Sequence, residues 1–324
     1  MKVLITGGAG FLGLQLARLL LKRGTLNLGG KAVTIDQLTL LDVVAPQIDD
    51  ARVRVVTGDL SDPAVLAQAI DRETGAIFHL AAVVSGQAEA DFDLGMRVNL
   101  DASRALLETC RTLGHAPRVV FTSSVAVYGG KLPAVVQDDT ALNPQSSYGV
   151  QKAIGELLLT DYSRRGFVDG RVLRLPTISV RPGKPNAAAS SFASGIIREP
   201  LSGEAANCPV DPATSLWLLS PRGAIQALVN GIELDGERFG NRRVVNLPGL
   251  SVTAAQMVEA LRRVAGDAVA DRVTWNREER VEKIVGTWPA AWDVSRAVAL
   301  GFESDASFDD VIRGYAEDVG VALQ

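Results

Sequence analysis

The sequence predicts a doubly wound α/β fold: a parallel sheet covered by helices on both faces, followed by a smaller C-terminal substrate domain. Three observations predict it. Short runs rich in β-branched residues alternate with longer helical patterns through the first half of the chain. Those runs are apolar on both faces, as strands inside a covered parallel sheet must be. The first of them breaks into a glycine-rich turn that opens directly into a helix.

Val3-Leu4-Ile5-Thr6 reads as the first strand, and residues 12–23 as the helix behind it, with Leu12, Leu16, Leu19 and Leu20 on one stripe. Residues 32–36 read as the second strand and 53–56 as the third. Residues 62–70 are helical, with Ser61 or Asp62 as N-cap and Pro63 in the first turn. Strands over 76–80 and 118–122 are separated by a helix over about 94–113. A helix over about 148–165 leads to a strand over 171–175. Repeated β–α–β units of this kind imply right-handed crossovers.

After Leu175 the rhythm changes. Pro176, Pro182, Pro185 and the small-residue tract 186–194 read as loops with one helix over 192–198. Residues 253–264 and 307–319 read as later helices. The expected division is a Rossmann-like nucleotide-binding domain over 1–177 and a mainly substrate-binding domain over 178–324. Residues of about 223–248 are candidates to return to the main sheet.

Composition excludes several classes. In 324 residues, 47% hydrophobic and 22% charged, a folded soluble protein is expected rather than a disordered one. The net charge of −4 provides no cationic field for phosphate backbones or anionic lipid, so neither nucleic acid nor membrane is an expected partner. Cys110 and Cys208 are too few for a disulfide framework and suit buried thiols in a reducing cytoplasm. The chain opens into its first strand with no leader-like segment, and no uncharged apolar run reaches the roughly 18–20 residues that cross a bilayer. His79 and His115 have no partners at metal-ligand spacing, so no metal is expected.

The glycine turn reads Thr6-Gly7-Gly8-Ala9-Gly10-Phe11-Leu12-Gly13. Gly7 permits the sharp turn, Gly10 lets the backbone approach a pyrophosphate, and Gly13 allows close helix–strand packing. The helix start, at Phe11 and Leu12, offers free N–H groups and a positive dipole end. Asp36 follows Gly13 at nearly the spacing expected of a carboxylate on the adenosine ribose, and Gln37 stands where an arginine would favour a 2′-phosphate. NAD is therefore expected over NADP. Asp59 and Leu60, in Gly58-Asp59-Leu60, are candidates near the adenine.

Tyr148 and Lys152 stand four apart in a helical segment and so share one face. A free phenol titrates near 10, and a neighbouring ammonium stabilises its anion. Ser124, just past a strand in Thr122-Ser123-Ser124, sits at the carboxyl edge where ligands of open α/β sheets bind. Its hydroxyl can hold a substrate oxygen while Tyr148 takes the proton.

This set, together with the segments HLAA, Asn99, SSVAVYG and SYGVQK, resembles the extended short-chain dehydrogenase/reductases, the superfamily that includes nucleotide-sugar epimerases. The resemblance spans nearly the whole chain. It implies that Ser124, Tyr148 and Lys152 are catalytic and that Lys152 also holds the nicotinamide ribose. It implies as well that Asn99 supports the active-site helix, that Ala81, Ala82, Thr122, Pro176 and Thr177 contribute to the cofactor site, and that the protein is a homodimer. The run Arg181-Pro182-Gly183-Lys184-Pro185-Asn186, with Leu175-Pro176-Thr177 before it and Ser190-Ser191-Phe192 after it, is similar to the D-erythronate dehydrogenase family. That similarity implies NAD-dependent oxidation of the 2-hydroxyl of a four-carbon sugar acid, D-erythronate or also L-threonate.

A small acid needs a cation or several donors for its carboxylate. Arg181, Lys184, Asn186 and Ser190 are the candidates, with Thr177 and Ser85 as further substrate contacts. Two other readings stay open: a nucleotide-sugar 4-epimerase or dehydratase, and a non-catalytic NAD-binding regulatory protein.

Overall fold

A computed structural model of the chain describes residues 1–183 and 188–323. At its centre lies a wholly parallel sheet of seven strands: β1 (Lys2–Thr6), β2 (Gln37–Asp42), β3 (Val53–Thr57), β4 (Thr74–His79), β5 (Arg118–Ser124), β6 (Asp169–Leu175) and β7 (Val244–Asn246). The spatial order is β7-β6-β5-β4-β1-β2-β3. Winding reverses beside β1, so a crevice opens past the carboxyl ends of β1 and β4.

Helices cover both faces: α1 (Phe11–Arg23), α2 (Pro63–Ala69), α3 (Ala102–Leu113), α4 (Ser147–Arg164), and later α5 (Phe192–Leu201), α6 (Pro221–Glu233), α7 (Ala254–Ala265) and α8 (Phe308–Val319). Alternation along β1 shows how the layers form. Val3 and Ile5 enter one apolar layer with Leu16 and Leu20 of α1 and Leu228 of α6. Leu4 enters the opposite layer with Leu66 of α2, Leu106 of α3 and Leu159 of α4. Val3, Leu4 and Ile5 are fully buried, and each such side chain contributes roughly 1.5–3 kcal/mol.

The second strand differs from the sequence reading. Lys31–Thr34 is mostly exposed and pairs antiparallel with Thr25–Leu28 in a hairpin outside the main sheet. The strand beside β1 is Gln37–Asp42, whose four central residues are all buried. Burial decides between the two segments: Leu38, Leu40 and Leu41 have a covered sheet to enter, whereas Lys31-Ala32-Val33-Thr34 has water on most sides.

The helix expected over 94–113 is also interrupted. Asp91 caps a short turn at Phe92–Gly95, Met96–Asp101 is π-helical, and only then does α3 begin. Asn99 sits on the π turn.

Beyond β6 the chain crosses to a second apolar cluster. Thr177–Ile178 joins Ser215–Leu219 and Leu250–Thr253 in a three-stranded sheet, and α5, α7 and α8 pack there around Ile197, Leu218, Leu261 and Ile312. Residues 221–246 lie with the main sheet: α6 packs in the first layer, and β7 extends the sheet beside β6. Cys110 and Cys208 are free and buried, and burial pushes their thiols up to about 12 and about 11, which leaves them unreactive.

Candidate active site

The floor of the site is backbone. β1 runs into Gly7, whose N–H donates to Leu41 O, and Gly10 N donates back to Gly7 O. α1 begins at Phe11 with Gly10 in extended conformation and no side-chain cap, so the first N–H groups of the helix have no partner within it. A Cβ at Gly13 would lie 2.1 Å from Gly7 O, and one at Gly10 would lie 3.1 Å from the same oxygen. Geometry excludes a side chain at Gly13 and leaves only a tight fit for one at Gly10. What remains is a cradle of amide groups shaped for a pyrophosphate, so these residues fit a dinucleotide.

Asp36 is not part of this floor. It precedes β2 at the amino end of the sheet, and its carboxylate pairs with the N-terminal ammonium of Met1. The carboxylate at the other end of that strand is Asp42. Its Oδ2 accepts from Ala9 N at 2.9 Å, inside the glycine turn itself. Six residues of strand span about 20 Å, so the two carboxylates occupy opposite ends of the sheet. Asp42 holds the position the sequence reading gave to Asp36.

At the next strand end, Asp59 accepts from Ser61 N and Oγ and lies 3.5 Å from Arg97, and these bonds hold its carboxyl below the usual range. Leu60 is a correction in part, because its side chain is buried in the layer with Leu41 and Leu66. Ala82, Val84 and Ser85 line the cleft, whereas Ala81 packs on the core and donates its N–H to Thr6 Oγ1. Asn99 stands behind this loop: its Oδ1 accepts from Val83 N at 2.8 Å, and its Nδ2 donates to Gln151 Oε1 at 2.7 Å. It fixes the loop and α4 rather than touching the cleft. His79 is equally structural, bonded to Thr6 and Ser103, and burial pushes it down to about 3, so it is neutral.

The structure brings the three candidate catalytic residues together on one cleft of about 380 Å³, which also takes in Gly7, Gly10, Phe11, Leu12, Gly13, Thr122, Pro176 and Thr177. Ser146 caps α4 through Gly149 N, which sets Tyr148 and Lys152 on the inward face. Lys152 Nζ lies 5.7 Å from the Tyr148 ring centre and 4.7 Å from that of Phe121, and it donates to Thr122 O at 2.8 Å. Burial pushes the ammonium down to about 8, with Glu156 acting against it.

The phenol behaves differently from the sequence reading. Desolvation pushes Tyr148 up to about 12, and the groups that oppose this are the hydrogen-bonding Ser124 hydroxyl and the charge of Arg181. The guanidinium of Arg181 is the charge that opposes burial at the phenol.

Arg181 lines the cleft half-buried. Its backbone is tied down, with N donating to Ser194 Oγ and O accepting from Arg198, while its guanidinium has neither an ion pair nor a hydrogen-bond acceptor among the described residues. Ser190 and Ser85 share the lining. Lys184 and Asn186 lie outside the described residues. Three groups were not singled out in the sequence: Asp42, Arg198 and Trp288. Arg198 reaches the cleft from α5 while paired to Glu199. Trp288 had no local signal, because its place depends on how the second cluster packs. Among the described residues no helix is long and apolar enough to cross a membrane, and no group of three His, Cys, Asp or Glu is placed to hold a metal ion.

The chain is 86% identical over 323 residues to the D-erythronate dehydrogenase of Cupriavidus necator, covering 99% of this chain and all of that one. It is 48% identical over 319 residues to the D-erythronate dehydrogenase of Haemophilus influenzae, covering 98% and 99% of the two chains. The crystal structure of a nucleoside-diphosphate-sugar epimerase from Agrobacterium tumefaciens superposes with a TM-score of 0.93 at 44% identity, over 99% of this chain and 95% of that one. Residues 3–215 match the family model described as NAD dependent epimerase/dehydratase, and the protein belongs to that family.

Proposed function

We propose that the protein is an NAD-dependent dehydrogenase that oxidises the 2-hydroxyl of a four-carbon sugar acid, converting D-erythronate to 2-oxo-D-erythronate, with L-threonate as a further candidate substrate. The observation that carries this reading is Arg181. A guanidinium without a partner among the described residues lies on the same cleft as a phenol, a hydroxyl and an ammonium. A carboxylate on Arg181 would bring the adjacent carbon and its hydroxyl towards Tyr148. The 86% identity to a D-erythronate dehydrogenase supports the choice of acid.

The amide groups at the start of α1 seat the pyrophosphate, and Asp42 accepts from the adenosine ribose. Lys152 binds the nicotinamide ribose. When bound, NAD supplies the hydride acceptor and a cationic ring beside the phenol. Ser124 Oγ holds the substrate oxygen, and Tyr148 Oη receives its proton. With the phenol at about 12 in the free protein, the charge of Arg181 favours the phenolate this step needs. The chain divides in function near residue 178, with the cofactor contacts before it and the carboxylate-binding wall after it.

The name of the Agrobacterium protein favours a second reading, a nucleotide-sugar epimerase. That reaction returns its hydride and leaves no net NADH. A panel of stereoisomeric four-carbon aldonates with NAD separates the two. NADH equal to the D-erythronate consumed is expected, whereas no NADH from any aldonate, with turnover of a nucleotide sugar, would overturn the dehydrogenase reading.

We also infer a homodimer through the α3 and α4 side, where Val150 and Leu157 of α4 are exposed. Sedimentation at micromolar concentration would read it. Two buried free thiols suit a cytoplasmic setting.

A further inference from the structure

Tyr148 and Lys152 are two members of a longer stripe. The third, one more turn along α4, is Glu156, which is almost fully buried. Its carboxylate takes a two-pronged ion pair from Arg174 of β6, with Nε to Oε1 at 2.8 Å and a terminal nitrogen to Oε2 at 2.6 Å. Ser123 also donates to Oε1. Arg174 in turn donates to Tyr128 and, at 3.3 Å, to Asn246 of β7. Asn246 N donates to Asp138, which pairs with Arg296 at 3.0 Å.

Burying such a pair is costly, and an apolar pair of the same volume is often as stable, so stability alone does not explain it. Its position does. Ser123 immediately precedes Ser124, and Arg174 immediately precedes the Leu175-Pro176-Thr177 segment of the cleft lining. Around Lys152, His79 on β4 is neutral, Tyr148 is a neutral phenol, Phe121 and Thr122 on β5 carry no charge, and Arg174 on β6 is engaged by the carboxylate. Glu156 is the anion acting on the amine.

We propose that Glu156, gripped by Arg174, is a positioning residue for the catalytic group: it supplies the counter-charge that keeps Lys152 an ammonium in its buried setting, and through Ser123 it fixes the turn that presents Ser124. The proposal rests on the catalytic reading of Lys152 and Ser124. Its first readout, the titration of Lys152, needs neither substrate nor cofactor.

The full-length protein, labelled with ¹³C-lysine, is titrated by NMR, with the Lys152 signal assigned by its loss in Lys152→Arg. Glu156→Leu/Arg174→Met removes both charges at similar volume, and Glu156→Asp retains the anion. In the wild type the Lys152 midpoint is expected at about 8. In the folded double variant it falls by about 1 pH unit or more, and in Glu156→Asp it stays near the wild-type value. Turnover at neutral pH falls about twofold or more in the double variant, with KM little changed. A folded double variant with an unmoved Lys152 midpoint and wild-type turnover would overturn the proposal. If the double variant does not fold, the wild-type titration decides: a midpoint above about 7 supports the counter-charge, and one below about 7 contradicts it. Failure of D-erythronate as a substrate would leave the Lys152 titration standing, so the two ideas fail separately.

Discussion

The floor and the wall of the same cleft are built from different materials. The floor is backbone, a turn where a Cβ at Gly7, Gly8 or Gly13 would clash and whose first helical N–H groups have no partner within the helix. The wall is side chain: Arg181, Ser190, Arg198 and Trp288 reach the cleft from separate segments held by the second apolar cluster. A floor made this way binds the phosphates shared by every dinucleotide. A wall made this way selects among substrates, and it can change residue by residue while the floor stays fixed. The proposed catalytic group lies where the two meet.

Removing the group at the junction should have the largest effect. Tyr148→Phe keeps the ring and deletes the proton acceptor, so turnover is expected to fall by about 10²–10⁴ with NAD affinity retained. Steady-state NADH formation and a fluorescence titration with NADH read the two quantities. A variant within tenfold of wild type would remove Tyr148 from the reaction.

The floor comes next. Gly13→Ala puts a methyl group 2.1 Å from Gly7 O, so the turn must distort. Overpacking of about 1–3 kcal/mol corresponds to roughly 10–100-fold weaker NAD binding. Unchanged affinity would show that the turn is not the pyrophosphate seat.

A smaller effect distinguishes two carboxylates. Asp42→Asn should weaken NAD about tenfold and narrow its advantage over NADP, whereas Asp36→Asn, at the other end of the strand, should leave both unchanged. The reverse pattern would restore Asp36 to the site.

The smallest effect is on stability. Lys152 has a folded value of about 8 against the usual 10.5, so the folded state disfavours its charge. That cost is fully present below about pH 8 and disappears as pH rises to 10.5. Lys152→Met, although inactive, should therefore melt about 2–4 °C higher than wild type at neutral pH, with the gap closing in alkali. A lower melting point at pH 7 would mean that the bond to Thr122 O outweighs desolvation.

Much of the floor was legible because backbone requirements leave local traces. Glycines at 7, 10 and 13 between a strand and a helix specify a shape, and Tyr148 and Lys152 at helical spacing specify a face. Asp36 misled because register is not local. The hairpin over residues 25–34, closed by Gly29 and Gly30 at positive φ, displaced the true strand by one element, and leucines at 38, 40 and 41 carry a weaker strand signal than Val33 and Ile35. The phenol's environment was misjudged for a similar reason. Helical spacing places Lys152 beside Tyr148, but only tertiary packing reveals that burial dominates and that Arg181 is the cation acting on the hydroxyl. Trp288 and Arg198 left no trace in their own neighbourhoods.

The most direct test of the account is the ratio of kcat/KM for D-erythronate to that for erythritol, its uncharged counterpart, in the wild type and in Arg181→Met. If the Arg181 guanidinium receives the carboxylate, the wild type strongly prefers the acid, and the variant loses about 10–100-fold of that preference while its NAD affinity is unchanged. A ratio that does not move when Arg181 is replaced would contradict the assignment of the wall, and with it the reading of this cleft as a sugar-acid site.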